Sequence, residues 1–197
     1  MKKTTIVVII IALVVIVGGI LIGGYNKIVK LDQNVEGAWA QVETNYQRRA
    51  DLIPNLVNTV KGAAGFEQKT LTDVIEARSR ATAVTIDADN LTPESIAAYE
   101  AAQSQVSSTL GRLLAVAENY PQLTATQGFR DLQIQIEGAE NRIATSRRDF
   151  NQSVQEYNTV TKSFPTVVYA KLFGFSEKGY FQSAQGTELA PTVDFSS

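Results

Sequence analysis

The chain has 197 residues, enough for one domain plus an anchor, and its charge is nearly balanced, with 18 Lys+Arg against 20 Asp+Glu. No basic surface and no RNP, KH or zinc-finger signature points to nucleic acid, which is not an expected partner. Cysteine and histidine are both absent, which removes disulfides, thiol chemistry, the usual zinc sites, Ser-His-Asp catalysis and the Glu-x-x-His di-iron bundle; no cofactor is expected.

After "MKKTT" comes "IVVIIIALVVIVGGILIGG", Ile6 to Gly24, 19 positions without a charge. At ~1.5 Å per residue this run spans roughly 28 Å, close to the hydrocarbon thickness of a bilayer, and predicts a transmembrane helix. It is longer than a signal-peptide core, and Leu21 or Ile22 stands where a small residue would precede the candidate cleavage sites, so an uncleaved single-pass anchor is expected. Lys2 and Lys3 before the span balance Lys27 and Lys30 after it, so the positive-inside count selects neither side of the cell membrane for the soluble domain. Gly19 and Gly23 form a small-xxx-small pair that would let two membrane helices approach closely, while Tyr25 stands at interfacial depth.

From Asn26 continuous apolarity gives way to helical alternation: Ile28, Leu31, Val35, Ala38 and Val42, then Tyr46, Ile53, Val57, Val60 and Ala64. No turn signal separates this stripe from Gly24, so the membrane helix is expected to run straight into the first soluble one. Pro54 falls inside the stripe. Either a new helix starts with Asp51 as N-cap, or one long helix kinks at Pro54; the unbroken stripe favours the kink. The preceding "RRAD" then supports the bend, with Arg48 pairing Asp51 and other helices reaching the carbonyl of Ala50 that the proline frees.

"KGAAGFE", Lys61 to Glu67, is a hinge or a tight turn before a second helical pattern through Leu71, Val74, Ile75 and Ala81. "TIDADNLTPES" is a loop ending in a helix start, Thr92 as N-cap and Pro93 in the first helical position. A third helix carries Ile96, Tyr99, Val106, Leu110, Leu113 and Ala117 and breaks at Pro121. In the fourth, Phe129, Ile136, Ile143, Phe150, Tyr157 and Phe164 recur every seven residues, the repeat of bundle or coiled-coil packing. It stops at Pro165, after which "TVVYAKLFGF" is a short helix or strand. These elements give an all-α protein: a single N-terminal transmembrane helix (residues 1–24) continuing into an antiparallel bundle of about four long helices (25–173), with an extended or mobile tail (174–197).

Polar residues interrupt the apolar stripes at Arg48, Arg49, Asp51 and Asn55, at Glu76, Arg78 and Arg80, and on the fourth helix at Glu137, Glu140, Asn141, Arg147, Asn151 and Asn158. Inward carboxylates could bind metal or move protons, but dinuclear bundle sites need histidines that this chain lacks. The favoured reading is an interhelical network, with Glu140 meeting an arginine from a neighbouring helix and Asn151 and Asn158 fixing register. Trp39, the single tryptophan, is expected in the core or at an oligomer contact. No catalytic, metal or cofactor-binding residue is assigned.

The stretches "YNKIVKLDQNVEGAWAQVE", "RRADLIPNLVNTVKG", "LTDVIEARSRA", "AENRIATSRRDFNQSVQEYNTVTKSFP" and "GFSEKGYFQ" resemble the LemA family of bacterial membrane proteins, from Tyr25 to about Gln182. The resemblance implies a single amino-terminal span followed by a long-helix bundle, and a relative associated with magnetosome membranes implies membrane organisation or stress-linked scaffolding. Relatives often carry "AAHE" where this chain has Gly65-Phe66-Glu67, so no histidine here can serve a metal or catalytic role. The expected function is that of a scaffold or adaptor, not an enzyme. Its partners would be the bilayer and either further copies of the chain or another membrane protein. An accessory subunit of a membrane protease or envelope-stress system is the alternative, and a carboxylate-based enzyme the third reading.

Overall fold

The structure, a computed structural model, describes residues 3–63 and 65–182, with side chains from residue 6 onward. It is 84% helical, and no strand occurs among the described residues. Ala64 of the expected stripe, Lys2, and residues 183–197 of the expected tail lie outside the described residues.

The first helix, α1 (Lys3–Lys61), is one unbroken element of 59 residues. Its side chains from Ile6 to Val17 are exposed on every face, and this part is long and apolar enough to cross a membrane. From Ile28 onward one face is buried, through Val35, Trp39, Val42, Tyr46, Ile53 and Val57, because apolar residues three and four apart return to the same side of a helix. The same helix therefore serves as apolar rod and bundle member with no linker between. Pro54 lies within α1, so a restart with Asp51 as N-cap does not occur. The chain turns instead at Gly62–Glu67, where Gly65 takes φ +81, a conformation that any side chain would strain.

Helix α2 (Gln68–Ala83), a 3₁₀ turn at Ala88–Asn90 and α3 (Pro93–Ala117) follow. Thr92 caps α3 by accepting from the Ser95 amide at 3.2 Å, with Pro93 at the first position, where its missing N–H costs nothing. A four-residue α4 (Pro121–Thr124) leads into α5 (Gln127–Lys162), capped by Thr126, and α6 (Thr166–Leu172) closes the helical part. Ten residues forward along α1, Trp39 to Arg49, match ten back along α5, Phe150 to Glu140. The two long helices thus pack antiparallel in constant register. The heptad residues Phe129, Ile136, Ile143, Phe150 and Tyr157 are all buried. Phe164 is the exception: α5 stops at Lys162, so the seventh-residue spacing no longer returns to the core, and Phe164 is 85% exposed.

Two apolar cores result. One gathers Ile28, Val35, Trp39, Val42 and Tyr46 with Tyr99, Ile143, Phe150, Val154 and Tyr157 near the apolar segment of α1. The other joins Ile53, Val57 and Val60 to Leu71, Val74, Leu110, Leu113, Phe129 and Ile136 at the far end. Each large side chain so buried contributes on the order of 1.5–3 kcal/mol. Between the cores lies a polar layer centred on Arg49.

After α6 the chain reverses at Gly174 (φ +82) and runs extended along α5 as a strap from Phe175 to Gln182. This part of the expected tail is extended but packed: Lys178 and Phe181 are buried. The Gly179 amide donates to Leu91 O at 2.9 Å. A Cβ on Gly179 would lie 2.6 Å from Pro93 Cα, so only glycine lets the two backbones pass this closely.

Candidate functional site

Arg49 lies on the α1 stripe between Tyr46 and Ile53 and is only 1% exposed. A charge there requires full compensation, because an unpaired buried ion costs several kcal/mol. One terminal nitrogen donates to Glu140 Oε1 at 2.8 Å and to Ser107 Oγ at 2.6 Å; the other donates to Gln103 Oε1 at 2.7 Å and Gln103 O at 3.1 Å. The guanidinium also sits 5.1 Å from the Tyr46 ring centre. One side chain thereby ties α1 to α3 and α5, with Glu140 as the expected partner. Gln103 and Ser107 were not singled out by the sequence, although Gln103 falls in step between Tyr99 and Val106 on a stripe that is otherwise apolar.

Pro54 has no N–H, so the Ala50 carbonyl loses its helical partner. Arg78 of α2 fills that place, its Nε donating to Ala50 O at 2.7 Å. The proline thus turns a backbone group of α1 into a docking point for α2. Arg78→Ala is expected to cost about 1–3 kcal/mol, the penalty of an orphaned carbonyl. In a Pro54→Ala background the restored amide satisfies Ala50 and the same substitution should cost far less. A double-mutant cycle by chemical denaturation reads this directly; strictly additive effects would show that the two residues are not linked.

Other polar residues stay outside this layer. Arg48, Asp51, Pro54, Asn55 and Asn141 are exposed. Asp51 accepts from Gln47 Nε2 at 2.8 Å, and among the described residues the expected Arg48–Asp51 pair does not form. Beside the layer α1, α2 and α3 enclose a cleft of about 610 Å³, lined by Glu43, Arg48, Asp51, Arg78, Tyr99 and Gln103 among others. Burial raises the pKa of the Glu43 carboxyl. The cleft presents acids and bases side by side, Glu43 and Asp51 with Arg48 and Arg78.

A second network fastens the strap. Asn158 donates to Lys178 O at 2.8 Å and accepts from Lys178 N at 3.0 Å; Asn151 does the same for Phe181, at 2.8 and 2.9 Å. Seven residues of α5 rise ~10.5 Å and three extended residues span ~10 Å, so the two asparagines meet the strap in phase. These asparagines therefore fix the register of an extended segment and not, as expected, that of a helix pair. Arg147 pairs with Glu100, donates to Gln182 O at 2.8 Å and lies over the Phe181 ring. Lys178 pairs with Asp32 at 2.7 Å. The Phe181 ring stacks on Trp39 and packs edge-on to Phe150, which places Trp39 in the core.

Burial raises three phenols: Tyr46, Tyr99 and Tyr157, the last to about 12. For a group whose folded pKa lies above its unfolded value of ~10, stability is fully present below pH ~10 and lost as pH rises beyond it. Alkaline titration followed by tyrosinate absorbance should show part of the seven tyrosines ionising late, together with falling stability. Simultaneous titration of all of them near pH 10 would contradict the burial.

In the apolar part of α1, nothing lies within 4 Å of where a Cβ would stand on Gly19 or Gly23. The glycine in close contact is Gly24, where a Cβ would overlap the Tyr169 hydroxyl of α6.

The sequence model of the LemA family matches residues 38–195. Similar proteins include a magnetosome protein, MamQ 2, of Paramagnetospirillum magneticum, 25% identical over 183 residues that cover 82% of this chain and 66% of the relative. The MamQ protein of Magnetospirillum gryphiswaldense is 24% identical, with 82% and 65% covered. Protein LemA of Metamycoplasma hominis is 22% identical over 166 residues, with 84% and 72% covered. The chain thus spans slightly less than two thirds of the length of the magnetosome relatives.

Proposed function

The chain belongs to the LemA family, and we propose that it works as a membrane-anchored helical scaffold or adaptor, acting through protein contacts and not as an enzyme. The observation that carries this reading is the continuity of α1. One helix is exposed and apolar over its first third and buried on one face over the rest, so a bilayer that holds the first part holds the bundle at a fixed height. The internal use of Arg49, Arg147, Asn151 and Asn158 supports it further, since these groups are engaged in joining helices and strap. The names of the magnetosome relatives favour a part in membrane organisation, with further copies of this chain or another membrane protein as partner. Gly19 and Gly23, open on the surface of the apolar segment, offer one face for helix association.

Cross-linking and size measurement of the full chain in mild detergent test the proposal. Assemblies of several copies, or a stable complex with a non-enzymatic membrane protein, are expected. A strictly monomeric chain that copurifies with one membrane protease would overturn the scaffold in favour of an accessory subunit.

A further inference from the structure

Outside the apolar end of α1, large exposed apolar side chains collect at one place. Val168 and Leu172, four apart on α6 and so on one side of it, are 67% and 81% exposed, and Phe164 and Phe173 flank them at 85% and 55%. Contiguous apolar surface of this kind marks a contact with something other than water. Its position says with what. Next to them on α6, the buried Tyr169 lies against Gly24, the last residue of the apolar run. Phe173 packs edge-on to Tyr25 with ring centres 5.2 Å apart. The patch therefore stands at the level where the apolar part of α1 ends. Three exposed lysines belong to the same two segments, Lys27 and Lys30 just beyond Tyr25 on α1 and Lys171 on α6 itself, a placement basic side chains take where an apolar helix face meets phospholipid headgroups.

We infer that α6 and its flanking phenylalanines are a second membrane contact, lying in the boundary between headgroups and acyl chains beside the span. This rests on the reading of α1 as a membrane anchor. A lone span leaves the bundle free to rotate about the membrane normal and to tilt. With α6 in the interface, the side of the bundle that carries α6 faces the bilayer, and the start of the strap at Gly174 is held against the lipid surface.

The chain has no cysteine, so single cysteines at Val168, Leu172, Ile16 and Ile134 each place one environment-sensitive fluorophore on the full chain, reconstituted in phosphatidylcholine–phosphatidylglycerol vesicles. Ile16 is the mid-span reference, and Ile134, 66% exposed on the distal part of α5, the aqueous one. Labels at Val168 and Leu172 should emit at shorter wavelength than the Ile134 label and lose emission to nitroxide-bearing lipids, most strongly when the nitroxide is shallow. If Ile16 is quenched while Val168 and Leu172 behave like Ile134, the inference falls and the anchor stands. If Ile16 is not quenched, the anchor reading fails first. Blue-shifted but unquenched labels that respond to the protein-to-lipid ratio would mean that a second copy covers α6, which also overturns the lipid contact.

Discussion

Glu140→Gln is expected to destabilise the folded bundle by about 3 kcal/mol, more than Arg49→Met, although the arginine is the buried partner. Removing the negative charge leaves a guanidinium that is 1% exposed with only neutral oxygens around it, those of Gln103, Ser107 and the new amide, and breaking one half of a buried pair costs on the order of 3–5 kcal/mol. Removing the arginine instead takes the charge away. Glu140, whose side chain is 39% exposed, then turns to water, and methionine fills much of the space between the two cores. That substitution should cost under about 2 kcal/mol, most of it from the Gln103 and Ser107 groups left without a donor. Urea unfolding of the two variants decides the matter. The reverse order would mean that Arg49 contributes mainly by packing.

Phe181→Ala is expected to release the strap. Its ring is buried between Trp39 and Phe150, and truncating a buried phenylalanine costs about 3–5 kcal/mol. Asn151→Ala and Asn158→Ala each orphan one amide and one carbonyl of the strap, at about 2 kcal/mol or more. Because all three act on one docking event, the combined variant should cost little more than Phe181→Ala alone once the strap is off. Gly179→Ala should act in the same direction through its clash with Pro93. Two readouts follow: trypsin should cut at the now accessible Lys178, and the emission of the single tryptophan, Trp39, should change while helicity persists. Unfolding of the entire bundle in place of local release would contradict a separately docked strap.

Much of this architecture was legible in the residue order. Stripes with spacings of three and four, the Thr92–Pro93 start and the heptads of α5 are local patterns, and local patterns specify helices. Arg49 was visible as one of several charges interrupting an apolar stripe, and Glu140 was expected to meet an arginine of a neighbouring helix, but nothing in the residue order selected which arginine. The Ala50 carbonyl was identifiable because proline chemistry predicts which acceptor is freed. The strap was not. Its hold on α5 depends on a match between helical rise and extended span, set by residues 20 and 30 positions apart, which no local period encodes. Glycine-rich and polar sequence reads as mobile unless its backbone groups are known to meet Asn151 and Asn158. The role of α6 was hidden likewise, since the fifth heptad step to Phe164 continues in sequence after the helix has ended at Lys162.

A bundle held at fixed height above a bilayer requires α1 to run from its apolar segment into the bundle without a joint, above all at Gly23 and Gly24. Spin labels at Ile22 and Ala40 of the full chain in lipid vesicles test this by electron–electron distance measurement. An unbroken helix places the two Cα atoms about 27 Å apart, and a single narrow distribution near that value, widened only by the label arms, is the predicted result. A broad distribution reaching to much shorter distances would show a flexible joint at the membrane surface and would contradict a bundle held at fixed height.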